Sequence, residues 1–503
     1  MSATTRAALI VLCGLAMGLA GCGGSSSVNL APTPSGSFTN TNLKGAYAFE
    51  ASGSYSSGVL FSVAGTLQAD GNGNITSGTE DIISANSSGV EEPIASVAIT
   101  ASTYTVGADG RGVATLNSGA GSIGLDFVLL SSGQRGLVIR FDNGASASGT
   151  LDRQDSTAFA PSALTGQFAF NLSGVDANGF PLSSVGTFAT DGGSALTGGV
   201  QDFNDIARGP ALNSAFTGTY AVASNGRGTA TFNTPSTGAQ QTFAFYVVNA
   251  THVKMIEIDS SLQGLAGDAF AQQSSFSNAT VSGPFAFSTS GATSSSSVSS
   301  SGPYAAAGLF TADGNGNITS GVEGINSSGS VTKNAAVSGS YTLASNGRGT
   351  LTLSGTAGVS NYVFYPTASF GLQMMGIETS PVASGTAFVQ QAGPYSNSSL
   401  QANYGFNASG DNSTGEVDTV ALITGNGSGR FTGSADVNFA EALFRQLAFN
   451  GSYSVASNGR GTASLTNSAS GTQNFTFYMV SPSQVLLVET DTGFVSAGTM
   501  LQQ

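Results

Sequence analysis

Four near-identical 13-residue segments constrain this chain more than any other feature. They read YTVGADGRGVATL from Tyr104, YAVASNGRGTATF from Tyr220, YTLASNGRGTLTL from Tyr341 and YSVASNGRGTASL from Tyr453. Their arginines, Arg111, Arg227, Arg348 and Arg460, stand 116, 121 and 112 residues apart. Self-similarity at such a period marks a repeat architecture, and a repeat of about 110 residues is long enough to bury a core of its own. Other markers keep the same order. Each repeat opens with an aromatic pair, as in LKGAYAFEASG at Leu43, LTGQFAFNLSG at Leu164, VSGPFAFSTSG at Val281 and LQANYGFNASG at Leu400. An Asp-Gly hairpin follows, then the arginine turn, an aromatic strand, an apolar strand carrying an acid, and a Gly-Thr-like closing strand. The repeats therefore run 43–162, 163–280, 281–399 and 400–503.

Nearly every segment alternates with period two, so that Tyr47 and Phe49, or Phe475 and Phe477, share a face. Turn signals recur throughout, mostly Asp-Gly and Asn-Gly, which supply the positive φ of tight hairpins. The only short helical candidate is FAEALFRQL, Phe439 to Leu447. This predicts an all-β chain: a tandem array of four small antiparallel barrels, each a meander of about eight strands, because closure removes exposed edges. Repeated β-sandwiches are the alternative. The joints at 155–162, 274–280 and 393–399 are short and polar. They predict separate barrels with small interfaces, and a fragment 400–503 that folds alone as a soluble, β-rich monomer.

Charge narrows the function. The chain carries 14 Lys+Arg against 28 Asp+Glu, a net charge of −14. Nucleic acid, whose phosphates need a basic surface, is excluded as a partner. One His and no Trp leave no means of building a histidine metal site or triad, and no nucleophile-elbow, zincin or phosphate-loop motif is present. No enzyme activity and no cofactor is expected. At the N-terminus, Arg6 precedes an apolar run of signal-peptide length, residues 7–20. It ends in Leu19-Ala20-Gly21-Cys22, which resembles the lipobox of bacterial lipoproteins. That resemblance implies that 1–21 is a signal peptide and that Cys22 is acylated and becomes the first residue. It implies a membrane anchor in the cell envelope, and Gly23 after the cysteine points to the outer membrane. Residues 22–42 form a flexible Gly/Ser/Thr/Pro tether. With Cys13 in the leader and Cys22 lipidated, no thiol remains to pair.

The opening triplets Gly45-Ala46-Tyr47, Gly166-Gln167-Phe168 and Gly283-Pro284-Phe285 resemble the Gly-x-Trp that begins the first strand of lipocalins and related calycin barrels, where the aromatic plugs the barrel floor. The fourth repeat has Ala402-Asn403-Tyr404. Asp70, Asn72 and Asn74, repeated as Asp313, Asn315 and Asn317, have the oxygen spacing of calcium loops. Ile75 and Ile318 stand where an EF-hand needs glycine, so a structural hairpin is the favoured reading. Arg111, Arg227, Arg348 and Arg460 are ligand candidates if their planar forks hold a carboxylate, and turn residues if they pair locally. Asp491-Thr492-Gly493 resembles the aspartic-protease triplet, but the second carboxylate is missing, since the aligned positions read Asp259 and Ser380. The acids Glu257, Asp259, Glu378, Glu489 and Asp491 read as a solvated face. The expectation is a monomeric, lipid-anchored protein that binds a glycan or envelope partner. The alternative is a lipocalin-like carrier of small apolar ligands inside the barrels.

Overall fold

The computed structural model describes residues 36–503 apart from 87–88, 91–92, 235–238, 260–262, 295–300, 370, 413 and 469–470. The leader and Cys22 lie outside the described residues. In the second repeat the strands run Thr165–Val175, Pro181–Asp191, Ala195–Asp205, Gly209–Val222, Arg227–Thr234, Ala239–Asn249, His252–Glu257 and Gly264–Ala271. Each pairs antiparallel with the next, and the eighth returns to the first, with Phe168 opposite Ala271 and Val175 opposite Gly264. The third and fourth repeats close identically, from Ser282–Ser294 to Val382–Val389 and from Asn403–Asn412 to Phe494–Gln502. In the first, Lys44–Ser54 pairs with Ser146–Arg153, and the fourth strand is broken into Ile94–Ile99 and Ser102–Val106 by Ala101 at φ 49°. The molecule is four antiparallel barrels in tandem.

The repeat signature is explained by the barrel interior. Its tyrosine reaches across one end, where Tyr104, Tyr220, Tyr341 and Tyr453 donate their hydroxyls to the carbonyls of Leu43, Leu164, Val281 and Leu400. This pins the turn that leads into the first strand. The glycine after each arginine has a packing reason besides turn chemistry. A Cβ at Gly112, Gly228, Gly349 or Gly461 would lie 2.1–2.3 Å from a ring carbon of Phe127, Phe245, Phe364 or Phe477. The opening aromatics Tyr47, Phe168, Phe285 and Tyr404 all point inward and are buried. Phenylalanines fill the second barrel to the point that Phe216 and Phe232 stack at 4.4 Å.

Two expectations fail. The helical candidate is a hairpin: strands Arg430–Phe439 and Ala442–Val455 meet at Ala440 and Glu441, both at positive φ (48° and 70°), with Phe439 opposite Ala442. Strand pairing overrides the short helical pattern. Nor are the barrels beads with small interfaces. In every barrel the outer faces of the first three strands pack on the outer faces of the sixth to eighth strands of the next. Ala48, Ala64 and Ile83 meet Tyr246, Val248 and Ile256; Ala169 and Val185 meet Val363, Tyr365 and Met375; Ala305, Ala307 and Leu309 meet Tyr478, Leu486 and Val488. The fourth barrel then packs on the first, Val420 and Leu422 against Val128, Leu130, Leu137 and Ile139. The array is a closed ring of four, with strands apolar on both faces wherever two barrels touch.

Candidate functional site: the seams between barrels

Each seam is held by polar side chains that reach across an apolar patch. The third strand supplies an acid at one fixed position, Asp81, Asp202 or Asp436, with glycine at Gly324 in the third barrel. At the first seam Arg227 forks onto Asp81 with Nε–Oδ2 at 2.8 Å and Nη2–Oδ1 at 2.7 Å, and Tyr246 donates its hydroxyl to the same carboxylate. The second seam repeats this geometry. Arg348 holds Asp202 at 2.9 and 2.8 Å and Tyr365 donates at 2.6 Å. Both carboxylates are fully buried, and each also accepts a backbone N–H from a bulge in its own barrel, Ser96 or Asn213 at 2.7 Å. Burial, reinforced by the facing carboxylate, pushes the hydroxyls of Tyr246 and Tyr365 well up, so both remain donors.

The seam that closes the ring reverses the pair. Asp126 on the first barrel takes a bidentate fork from Arg445 of the fourth, at 2.6 and 2.8 Å, and that guanidinium lies 4.4 Å over the Phe141 ring. Burial pushes Asp126 up to about 6. Arg111 donates to its own Asp109 and reaches Ser434 at 2.8 Å. On the same seam Asp418, raised to about 7 by burial, accepts from Ser146 at 2.7 Å. At the first seam the buried Lys254 bridges Asp152 at 2.9 Å and Asp268 at 3.4 Å. Side-chain amides complete the grip. Gln154, Gln272, Gln390 and Gln503 each donate to a sixth-strand carbonyl of the neighbouring barrel. Asn204, Asn326 and Asn438 do the same around the seventh strands.

The seam between the third and fourth barrels is built differently. With Gly324 in the acid position, Arg460 donates across the seam only to the backbone carbonyl of Lys333, at 2.7 Å. A cleft of about 320 Å³ opens beside it, lined by Lys333, Arg460, Tyr453, Thr462, Thr476 and Thr490 among others, with no carboxylate in its wall. The enclosed hollows inside the barrels are smaller, about 20 Å³ in the second and about 40 Å³ in the fourth, but one end of the second barrel opens into a cavity of about 320 Å³ lined by Leu182, Gln201, Phe203, Arg208, Thr234 and Gln241 among others.

The other sequence candidates hold the fold together in place. The Asp70 carboxylate accepts from the Asn74 amide at 2.8 Å and from the backbone N–H of Asn72 and Asn74, which holds it down to about 2. Asp313 does the same with Asn315 and Asn317, and Asp191 and Asn426 close the equivalent turns in the degraded copies. Of the five acids read as a solvated face, two are buried and three are only partly exposed. Glu257 and Glu489 are buried in their barrels beside Gln241 and Ser496, while Asp259, Glu378 and Asp491 accept backbone N–H groups of a neighbouring strand. His252 bonds Asp268 at 2.6 Å and stacks on Phe270.

Sequence reasoning missed the acids and tyrosines of the seams. Their signal was the recurrence of TEDII, VQDFN and SADVN on the third strands. No family model and no curated protein matches the chain. Among solved structures it is similar to a double mutant of the vaccine antigen transferrin binding protein B from Haemophilus parasuis, at 10% identity over 75% of this chain and 82% of that one, with a TM-score of 0.19. It is also similar to CghA, at 9% identity over 94% and 96%, with a TM-score of 0.14. Scores this low carry no argument about fold or function. No described helix is long and apolar enough to cross a membrane.

Proposed function

We propose that this chain is a lipid-anchored protein of the bacterial cell envelope that binds a glycan or another envelope component and catalyses nothing. The observation that carries the reading is where the space lies. Ligand pockets for small molecules run to about 300–1,000 Å³. The enclosed hollows inside the second and fourth barrels are far below that, and the two openings that reach about 320 Å³, the hydroxyl-lined cleft between the third and fourth barrels and the glutamine-rich mouth of the second, both carry amide, hydroxyl or charged side chains in their walls. Carriage of apolar ligands fits less well, because the opening of that size in the second barrel is lined by Gln201, Asp205, Arg208, Gln240, Gln241 and Gln263 beside its few apolar residues. The anchor rests on Leu19-Ala20-Gly21-Cys22, and double or triple acylation would hold the chain stably at a bilayer.

One experiment tests both halves. Cys22→Ala is expected to release the chain from the membrane fraction while leaving export intact, because acylation needs the thiol. The released protein is expected to co-sediment with purified envelope polysaccharide. A Cys22→Ala chain that still fractionates with membranes overturns the anchor. One that stays entirely in the supernatant with every envelope glycan overturns the binding role.

A further inference from the structure

The third seam lacks an acid that the other seams have, and the groups that would hold it are still in place. Position for position, Gly324 stands where Asp81 and Asp202 stand, and Arg460 and Tyr478 stand where Arg227 and Tyr246, or Arg348 and Tyr365, grip those carboxylates. Here the Arg460 Nε and the Tyr478 hydroxyl are buried without a well-formed acceptor, the guanidinium lying beside the phenol oxygen, and Tyr478 is fully buried. A buried donor without an acceptor costs free energy, more so for a charged group. The Tyr478 hydroxyl is aimed at the missing side chain: a Cβ on Gly324 would lie 3.1 Å from it, 3.3 Å from Cγ1 of Val488 and 3.6 Å from Cβ of Thr476. Thr476 and Arg460 also line the open cleft, so the vacated position and the cleft lie side by side.

We infer that this seam binds the carboxylate of a hydroxyl-rich ligand, a sugar acid, which supplies in trans the anion that Asp81 and Asp202 supply within the chain. Arg460 Nε and the Tyr478 O–H are the donors to the carboxylate. Lys333, one of three lysines in a chain of net charge −14, adds a second cation at the rim. Ser452, Thr462, Ser464 and Thr490 line the remaining space, and their hydroxyl oxygens can accept from a polyol while Thr462, Ser464 and Thr490 keep their bonds to Ser454 and Asn474. A cleft of about 320 Å³ is the size of a single sugar unit rather than a long chain. Of the four signature arginines, only Arg460 has no carboxylate partner among the described residues. The inference deepens the glycan-binding reading and names its site.

The test uses the full mature chain with sodium glucuronate as the probe, and glucose and acetate as controls. Glucuronate at about 100 times its dissociation constant is expected to raise the thermal midpoint by a few degrees, while glucose leaves it unchanged. Gly324→Asp is expected to raise the midpoint of the free protein and to abolish the response, because the internal carboxylate then occupies the donors. Arg460→Gln, which does not add an acid, should weaken glucuronate at least tenfold. No response in the wild type, or an equal response in Gly324→Asp, overturns the inference. A response to acetate as large as that to glucuronate overturns the sugar-acid assignment. Envelope glycan that co-sediments with the chain but is indifferent to Gly324→Asp would sink this site while leaving the binding role standing.

Discussion

Asp202→Ala is expected to lower stability by about 3 kcal/mol or more, the cost of breaking a buried ion pair from one side. Asp202 is fully buried and accepts from Arg348 twice, from the Tyr365 hydroxyl and from the Asn213 N–H. Its removal leaves a guanidinium that is only 17% exposed and a buried hydroxyl without an acceptor at the second seam. Surface pairs, by contrast, contribute about 0–1 kcal/mol. The double variant Asp202→Ala with Arg348→Met should recover part of the loss, the share owed to the stranded guanidinium, while the Tyr365 hydroxyl and the Asn213 N–H stay without their acceptor. Denaturant unfolding of the three proteins measures this. A loss for Asp202→Ala below about 1 kcal/mol would put the pair in the class of solvated surface bridges and contradict its role in holding the seam.

The second large effect concerns the fourth barrel alone. Residues 400–503 contain a complete set of eight strands, so the barrel is expected to form. It is not expected to remain monomeric. One flank would expose Tyr478, Leu486, Val488 and Val495, which face the third barrel in the ring; another would expose Val420, Leu422 and Leu501, which face the first. Contiguous apolar patches of this kind are sticky when uncovered. Because the two flanks are complementary faces of the same repeat, copies can join head to tail. Sedimentation velocity should therefore show association that grows with concentration. A fragment that sediments as a monomer at every concentration would mean that the seams contribute little.

The individual barrel was legible in the sequence because its causes are local. Alternation at Tyr47 and Phe49, glycine after each arginine and Asp-Gly or Asn-Gly at each hairpin dictate strands, turns and an inward face. The ring was harder to see because its causes are spread across repeats. Asp81 and Arg227 are 146 residues apart, as are Asp202 and Arg348, and neither residue is unusual where it stands. A signal did exist. Phe243 to Val248 and Val485 to Val488 are apolar without interruption, which is the mark of strands covered on both faces rather than one. The acids of the seventh strand were misread for a related reason. Charge on a strand suggests solvent, yet Glu257 and Glu489 face inward, where buried amide and hydroxyl groups receive them. The cleft at Arg460 is legible only by comparing seams, because the decisive residue, Gly324, matters for the side chain it lacks.

Ring closure is the central claim, and small-angle scattering from residues 36–503 tests it most directly. A single compact body of this length has a radius of gyration of about 23 Å, against about 13 Å for one barrel. Four such barrels strung in a line on flexible joints would give about 35–40 Å. Contacts between the fourth barrel and the first, such as Asn438 to Arg140 and Gln503 to Leu129, require the compact value. A radius near 23 Å, unchanged on dilution, is the predicted result; a radius near 35 Å or above would show the ring open in solution and contradict the account.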